Sequence, residues 1–180
     1  NDWSSFANMG NNFRMKFRIN MSHTNNVHSV NDKFIAHFVH PMYGSLIERG
    51  FDIHLFQNNL TFKGYVRYED GNSRDLLFNT TYNVQYIPSF YNTVRDWEFE
   101  FTTFDIGSDS INTNAWGLAK IKIDGVVRSS VYVTDVENYT TQTQRDGVFM
   151  YTSGEDNGYY LIKMPMGTSE LYNFEMGKLN

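Results

Sequence analysis

The sequence predicts an all-β fold, a sandwich of two antiparallel sheets, and three observations predict it. Apolar and polar residues alternate with period two in several segments, as in Asp96-Trp97-Glu98-Phe99-Glu100-Phe101 and Lys120-Ile121-Lys122-Ile123, which is the pattern of strands with one buried and one wet face. Asx-Gly and Asn-rich turn signals, such as Asp124-Gly125 and Asp70-Gly71, separate these segments at intervals of about 8 to 15 residues. Aromatic residues make up 17% of the chain and charged residues only 19%, so the apolar supply is β-forming rather than rich in helix formers.

Taken in order, residues 1–12 form a polar lead-in or first edge strand, and residues 13–180 a single domain. Phe13–Asn20 places Phe13, Met15, Phe17 and Ile19 on one face against Arg14, Lys16, Arg18 and Asn20 on the other. Residues 21–32 read as loop, and Lys33–His40 as a second strand ended by Pro41, which cannot donate to a ladder. Gly44–Gly50 reads as a short strand ending in a turn, followed by strands over Phe51–Phe56 and Leu60–Tyr68 joined by a turn at Gln57-Asn58-Asn59. Residues 79–93, with Tyr82, Tyr86, Phe90 and Tyr91 around Pro88, read as a long loop with a short strand near Val84–Ile87. The Trp97 strand, the Ile121 strand and segments at 130–134, 148–152, 159–164 and 170–176 complete the sheets. Trp97, Phe99, Phe101, Ile121 and Ile123 are the predicted core.

Composition excludes several partners. A net charge of −5 with no run of Lys or Arg excludes tracking of a phosphate backbone, so no nucleic acid is expected. No apolar stretch approaches the 18 or so residues of a membrane-spanning helix, so no membrane insertion is expected. The chain begins at Asn1 without Met or a basic-then-apolar leader, as expected of a processed or excised segment. With no cysteine there are no disulfides and no thiol chemistry. Four sequons, at Asn20, Asn59, Asn79 and Asn138, are about what chance gives in so Asn- and Thr-rich a chain. The composition suits an extracellular or virion-surface protein.

The order of features resembles the laminin G-like, or concanavalin A-like, jelly roll: the strand Phe13–Asn20, Gly44-Ser-Leu-Ile-Glu-Arg-Gly50, the hairpin from Phe51 to Phe62, the Trp97-led strand to Asp105, and Ile121-Lys-Ile-Asp-Gly125. The resemblance covers nearly the whole chain through short motifs. It implies two curved antiparallel sheets whose concave face or rim loops bind sugars or protein partners. One departure is Glu98, where the family often has a small residue or His after its Trp.

Four groups of residues bear chemistry. Glu98 and Glu100, two apart on one strand, share a face at roughly 6.6 Å between Cα atoms, a spacing open to a retaining glycosidase. With Asp96 they resemble the Glu-x-Asp-x-Glu strand of concanavalin-like β-glucanases, with the acids reversed; the other reading is an acidic strand paired to Lys120, Lys122 or arginines across the sheet. Asp105, Asp109, Asn112 and Asn114 supply oxygens of the kind Ca²⁺ takes, or an ordinary Asx- and Ser-rich turn. The histidines are dispersed, and His37 and His40, three apart, fall on opposite strand faces, against a two-His metal site. Tyr82, Tyr86, Phe90, Tyr91, Trp116, Tyr159 and Tyr160 are candidate ligand-binding residues, because aromatic faces with polar tips stack on sugars and protein partners, or else close the sandwich ends.

The expectation is a non-catalytic adhesion or carbohydrate-binding module of a surface or virion protein, a phage or viral receptor-binding or decoration part, with no cofactor beyond Ca²⁺ and with a cell-surface glycan or protein as partner. The alternatives are a structural virion or assembly protein contacting homo-oligomer or virion subunits, and a β-glucan hydrolase using Glu98 and Glu100.

Overall fold

The computed structural model describes residues 12–22, 34–41, 46–68, 74–134, 159–165 and 168–178. Among the described residues ten strands carry the fold: β1 (Phe13–Asn20), β2 (Phe34–Pro41), β3 (Leu46–Phe56), β4 (Asn59–Tyr68), β5 (Arg74–Asn83), β6 (Val94–Thr103), β7 (Gly117–Ile123), β8 (Val126–Val133), β9 (Tyr159–Lys163) and β10 (Glu170–Lys178). They form two five-stranded sheets, in the orders β10-β1-β6-β7-β8 and β5-β4-β3-β2-β9, with every pairing antiparallel. The chain passes between the sheets after β1, β5, β8 and β9, a jelly-roll path, so strands distant in sequence lie side by side.

The alternation read in the sequence is the cause of this arrangement. In β1 the odd-numbered Phe13, Met15, Phe17 and Ile19 are buried, and β6 answers with Trp97, Phe99 and Phe101, each fully buried. Register fixes the same alternation on the outer face, where Arg14, Lys16 and Arg18 stand opposite Glu100, Glu98 and Asp96. The second sheet contributes Phe34, Phe38, Phe51, Ile53, Leu55, Leu60 and Phe62 to the interior.

The interior is largely aromatic and packs edge to face across the sheets. Phe13 meets Phe51 with centroids 4.6 Å apart, Phe34 meets Trp97 at 5.2 Å and Phe62 meets Phe99 at 5.4 Å. Each buried phenylalanine contributes about 1.5–3 kcal/mol by leaving water, and favourable ring geometry adds about 1 kcal/mol per pair. At one side the sheets meet through their edge strands, β5 to β8, where Thr80 Oγ1 and Ser129 Oγ lie 2.6 Å apart.

Two strand assignments are corrected. Gly50 is not a turn: β3 runs through it from Leu46 to Phe56, because Gly50 lies against the β2 backbone, where only a missing side chain leaves room. Val84–Tyr86 is a 3₁₀ turn rather than a strand, and the preceding segment extends β5 to Asn83. The segments at 1–11, 23–33 and 148–152 lie outside the described residues.

Candidate functional site

The site is built at the end of the sandwich where β5 gives way to β6. The β3–β4 hairpin turns through Gln57 and Asn58, both with positive φ (48° and 65°), the backbone of a two-residue type I′ turn. That conformation turns Asn58 inward, where it serves the neighbouring loop twice. Its carbonyl accepts from the Val84 amide at 2.8 Å, and its Oδ1 accepts from the Tyr91 hydroxyl at 2.6 Å. Asn83 caps the 3₁₀ turn, its Oδ1 accepting from the Gln85 amide at 3.0 Å.

Hydrophobic anchors hold the rest of the loop. Val84, Ile87 and Phe90 are buried, and Phe90 stacks on Trp97 with centroids 5.7 Å apart and planes 19° from parallel. Arg95 ties the loop from outside: it donates to the carbonyls of Pro88 and Ser89, each at 3.0 Å, and to Asp124 Oδ2 at 2.7 Å. The other Asp124 oxygen accepts from the Asp96 amide at 3.0 Å. A segment with a single 3₁₀ turn is thereby held on two hairpin turns and the first strand of the central sheet pair.

These anchors leave a specific set of side chains facing outward. Tyr86 is 76% exposed, and its ring stands edge to face with Tyr82, centroids 6.2 Å apart. Tyr91 is half-buried beside Phe90, and burial pushes its hydroxyl up to about 12. Val84, Gln85, Ile87, Ser89, Phe90 and Tyr91 line an open depression of about 280 Å³. An exposed ring can stack on one face of a sugar, and a hollow lined by amide and hydroxyl groups can meet sugar hydroxyls.

The structure brings together four of the seven aromatic residues singled out in the sequence: Tyr82, Tyr86, Phe90 and Tyr91. Trp116 is wholly buried near the opposite end, its amide donating to the Val133 carbonyl at 3.0 Å, so its ring is core and offers no face to a ligand. Tyr159 and Tyr160 open β9, in the sheet that does not contain Trp97; their side chains lie outside the described residues. Phe90, though in the cluster, acts from beneath as an anchor.

Glu98 and Glu100 sit on the outer face of the central sheet beneath basic groups. Lys122 Nζ donates to Glu100 Oε1 at 2.9 Å and lies 3.9 Å from Glu98, which has Arg14 3.7 Å away on its other side. Burial raises the Glu98 carboxyl, helped by its hydrogen bond to Glu100; burial also pulls Glu100 upward, but the bonds from Lys122 and Glu98 outweigh it and hold Glu100 low. Register sets Glu98 opposite Lys122 and Glu100 opposite Lys120, but the closest contacts run diagonally, from Lys122 to Glu100 and from Arg14 to Glu98.

In the loop after β6, Asp109 Oδ1 accepts from the amides of Ile111 (2.7 Å) and Asn112 (3.0 Å), and the Tyr132 hydroxyl donates to the same carboxylate at 3.3 Å. Those amide bonds hold its carboxyl low. Asn112 Oδ1 accepts from the Asn114 amide at 3.2 Å, and the Asp105 carbonyl accepts from Ser108. These oxygens are engaged as an Asx turn, and among the described residues no three His, Cys, Asp or Glu side chains converge as a metal-binding group. No helix among the described residues is long and apolar enough to cross a membrane.

One pairing escaped the sequence. His37 on β2 meets Asp52 on β3 through Nδ1 and Oδ1, and the His37 ring lies nearly parallel to Tyr65, 6.3 Å away. The two residues face each other in the β2–β3 register, which no short turn announces.

No family model matches the chain, and no curated protein matches it. Among solved structures it is similar to a galectin of Caenorhabditis elegans (9% identity, TM-score 0.41, covering 94% of this chain and 84% of that one). It is also similar to an alginate lyase of Pseudomonas aeruginosa (10% identity, TM-score 0.37, covering 97% and 67%).

Proposed function

We propose that the chain is a non-catalytic carbohydrate-binding module, laminin G-like or concanavalin-like in kind, that serves adhesion on a surface or virion protein and takes its glycan at the aromatic turn 82–91. The observation that carries this is Tyr86, a large ring held out in solvent against Tyr82, in the same turn whose residues 84–91 line an open hollow. A solvent-facing tyrosine on an anchored backbone binds at a low ordering cost, since few torsions must be fixed, which is how an aromatic platform turns contact area into affinity. The acids that a hydrolase would use are instead engaged by Lys122 and Arg14, and this favours binding over turnover.

A glycan array with pull-down against cell-surface polysaccharide tests the proposal. The wild-type chain is expected to retain glycans, and Tyr86→Ala to lose about tenfold in affinity at an unchanged melting temperature. Clean negatives on both assays would sink it, and turnover of a β-glucan that Glu98→Gln abolishes would replace it with the hydrolase.

A further inference from the structure

We infer that the aromatic turn selects an uncharged saccharide and discriminates against uronate, sialylated and sulfated sugars; this rests on the glycan-binding proposal and names the class of ligand. The hollow contains no charged side chain: Val84, Ile87 and Phe90 are apolar, and Gln85, Ser89 and Tyr91 are neutral polar groups. A sugar carboxylate or sulfate placed there would lose its hydration without meeting a cation, which costs several-fold in affinity at the least.

The nearest cation cannot supply the missing charge. Arg95 gives terminal N–H groups to Asp124 and to the carbonyls of Pro88 and Ser89, and its remaining Nε is buried, so the side chain holds the loop from the outside. Asp124 adjoins Arg95 at the same end of the sandwich and balances its charge at 2.7 Å. An incoming anion therefore meets no unpaired positive charge from these groups, whereas a neutral sugar meets the Tyr91 ring, the Gln85 amide and the Ser89 hydroxyl. The Tyr91 proton, held by Asn58 and retained far above neutral pH, keeps the hollow uncharged throughout the physiological range.

The experiment is calorimetric titration of the full chain with two panels of short saccharides at low and at high ionic strength. The neutral panel holds cellobiose, lactose and N,N′-diacetylchitobiose; the charged panel holds digalacturonate, sialyllactose and a sulfated heparin disaccharide. The expected result is binding confined to the neutral panel, indifferent to salt and lost in Tyr86→Ala. Tyr86-dependent binding of the charged panel, weakened by salt, would overturn the inference and leave the glycan-binding proposal standing. Failure of every sugar in both panels, together with a blank glycan array, would overturn the proposal and the inference with it.

Discussion

Lys122 shows how much one side chain decides on the outer sheet face. It spans Glu98 and Glu100, and its bond to Glu100 raises its own pKa and helps hold that carboxyl low. The depressed Glu100 gives stability that is present above the ordinary carboxylate range and is lost as pH falls through its lowered folded value. Glu98, held high, works in the opposite sense: its ionisation costs stability, and that cost disappears as the pH falls. Lys122, held high, contributes up to its unfolded pKa and loses the contribution only as alkaline pH passes its raised folded value. Lys122→Met is therefore expected to cost about 1–2 kcal/mol at neutral pH, between the worth of exposed and buried pairs. Chemical denaturation across pH should show the penalty shrinking as the pH falls below the ordinary carboxylate range and through the lowered Glu100 value, Glu98 having taken up its proton earlier. A penalty independent of pH would mean that the lysine stem, not its charge, matters. At the binding end, Tyr91→Phe removes the donor to buried Asn58, and unfolding experiments should show a loss of about 1–2 kcal/mol.

At the scale of elements, backbone geometry sets the sharpest constraints. A Cβ on Gly50 would lie 2.1 Å from the Phe38 carbonyl oxygen, a backbone atom locked in the β2–β3 ladder. On Gly64 it would lie 2.3 Å from the Phe78 ring, which can shift within the interior. Gly50→Ala is thus expected to be the worse substitution, by more than the ~1–3 kcal/mol of ordinary overpacking, and thermal melts of the two variants rank them. Gly125, with φ 78° in the Asp124-Gly125 turn, should cost only about 1 kcal/mol as Ala. That turn was legible, because Asx-Gly between alternating runs is the strongest local hairpin signal, and so were β1, β6 and β7, whose alternation is clean. Gly50 was misread as a turn because close backbone approach leaves the same residue in the sequence as a reversal does. The 3₁₀ turn at Val84–Tyr86 was missed for a related reason: besides its local cap at Asn83, it is held by Asn58, 26 residues upstream, which local sequence does not show. Arg95→Ala tests that tethering. It should weaken sugar binding and increase proteolytic nicking in 84–92 while leaving the core melt within about 1 kcal/mol.

For the whole molecule, the sandwich joins distant strands, and it is this joining that separates what sequence can reveal from what it cannot. The predicted core residues Trp97, Phe99, Phe101, Ile121 and Ile123 are all fully buried, since each follows from local alternation. Which aromatic residues share a site does not follow from alternation. Tyr82 to Tyr91 are brought together because β5 ends there and the loop folds back onto a hairpin turn from the same sheet, whereas Trp116 enters the interior at the far end. The His37–Asp52 pairing likewise depends on a register between strands that Pro41 and Gly44 at their connection do not specify. Glu98 and Glu100 were placed on one face correctly, and of the two readings of that face the structure shows the one that pairs them across the sheet, with Lys122 and Arg14 as the partners. Two surfaces thus compete for a ligand: the aromatic end and the charged outer face of the central sheet. The measurement that decides between them is an NMR titration of the isotopically labelled chain with the saccharide that binds tightest on the array. The account predicts shift perturbations concentrated at residues 82–91 and Asn58, with Arg14, Glu98, Glu100 and Lys122 unmoved. Perturbations centred on those four charged residues, with Tyr86 and its neighbours unmoved, would contradict it.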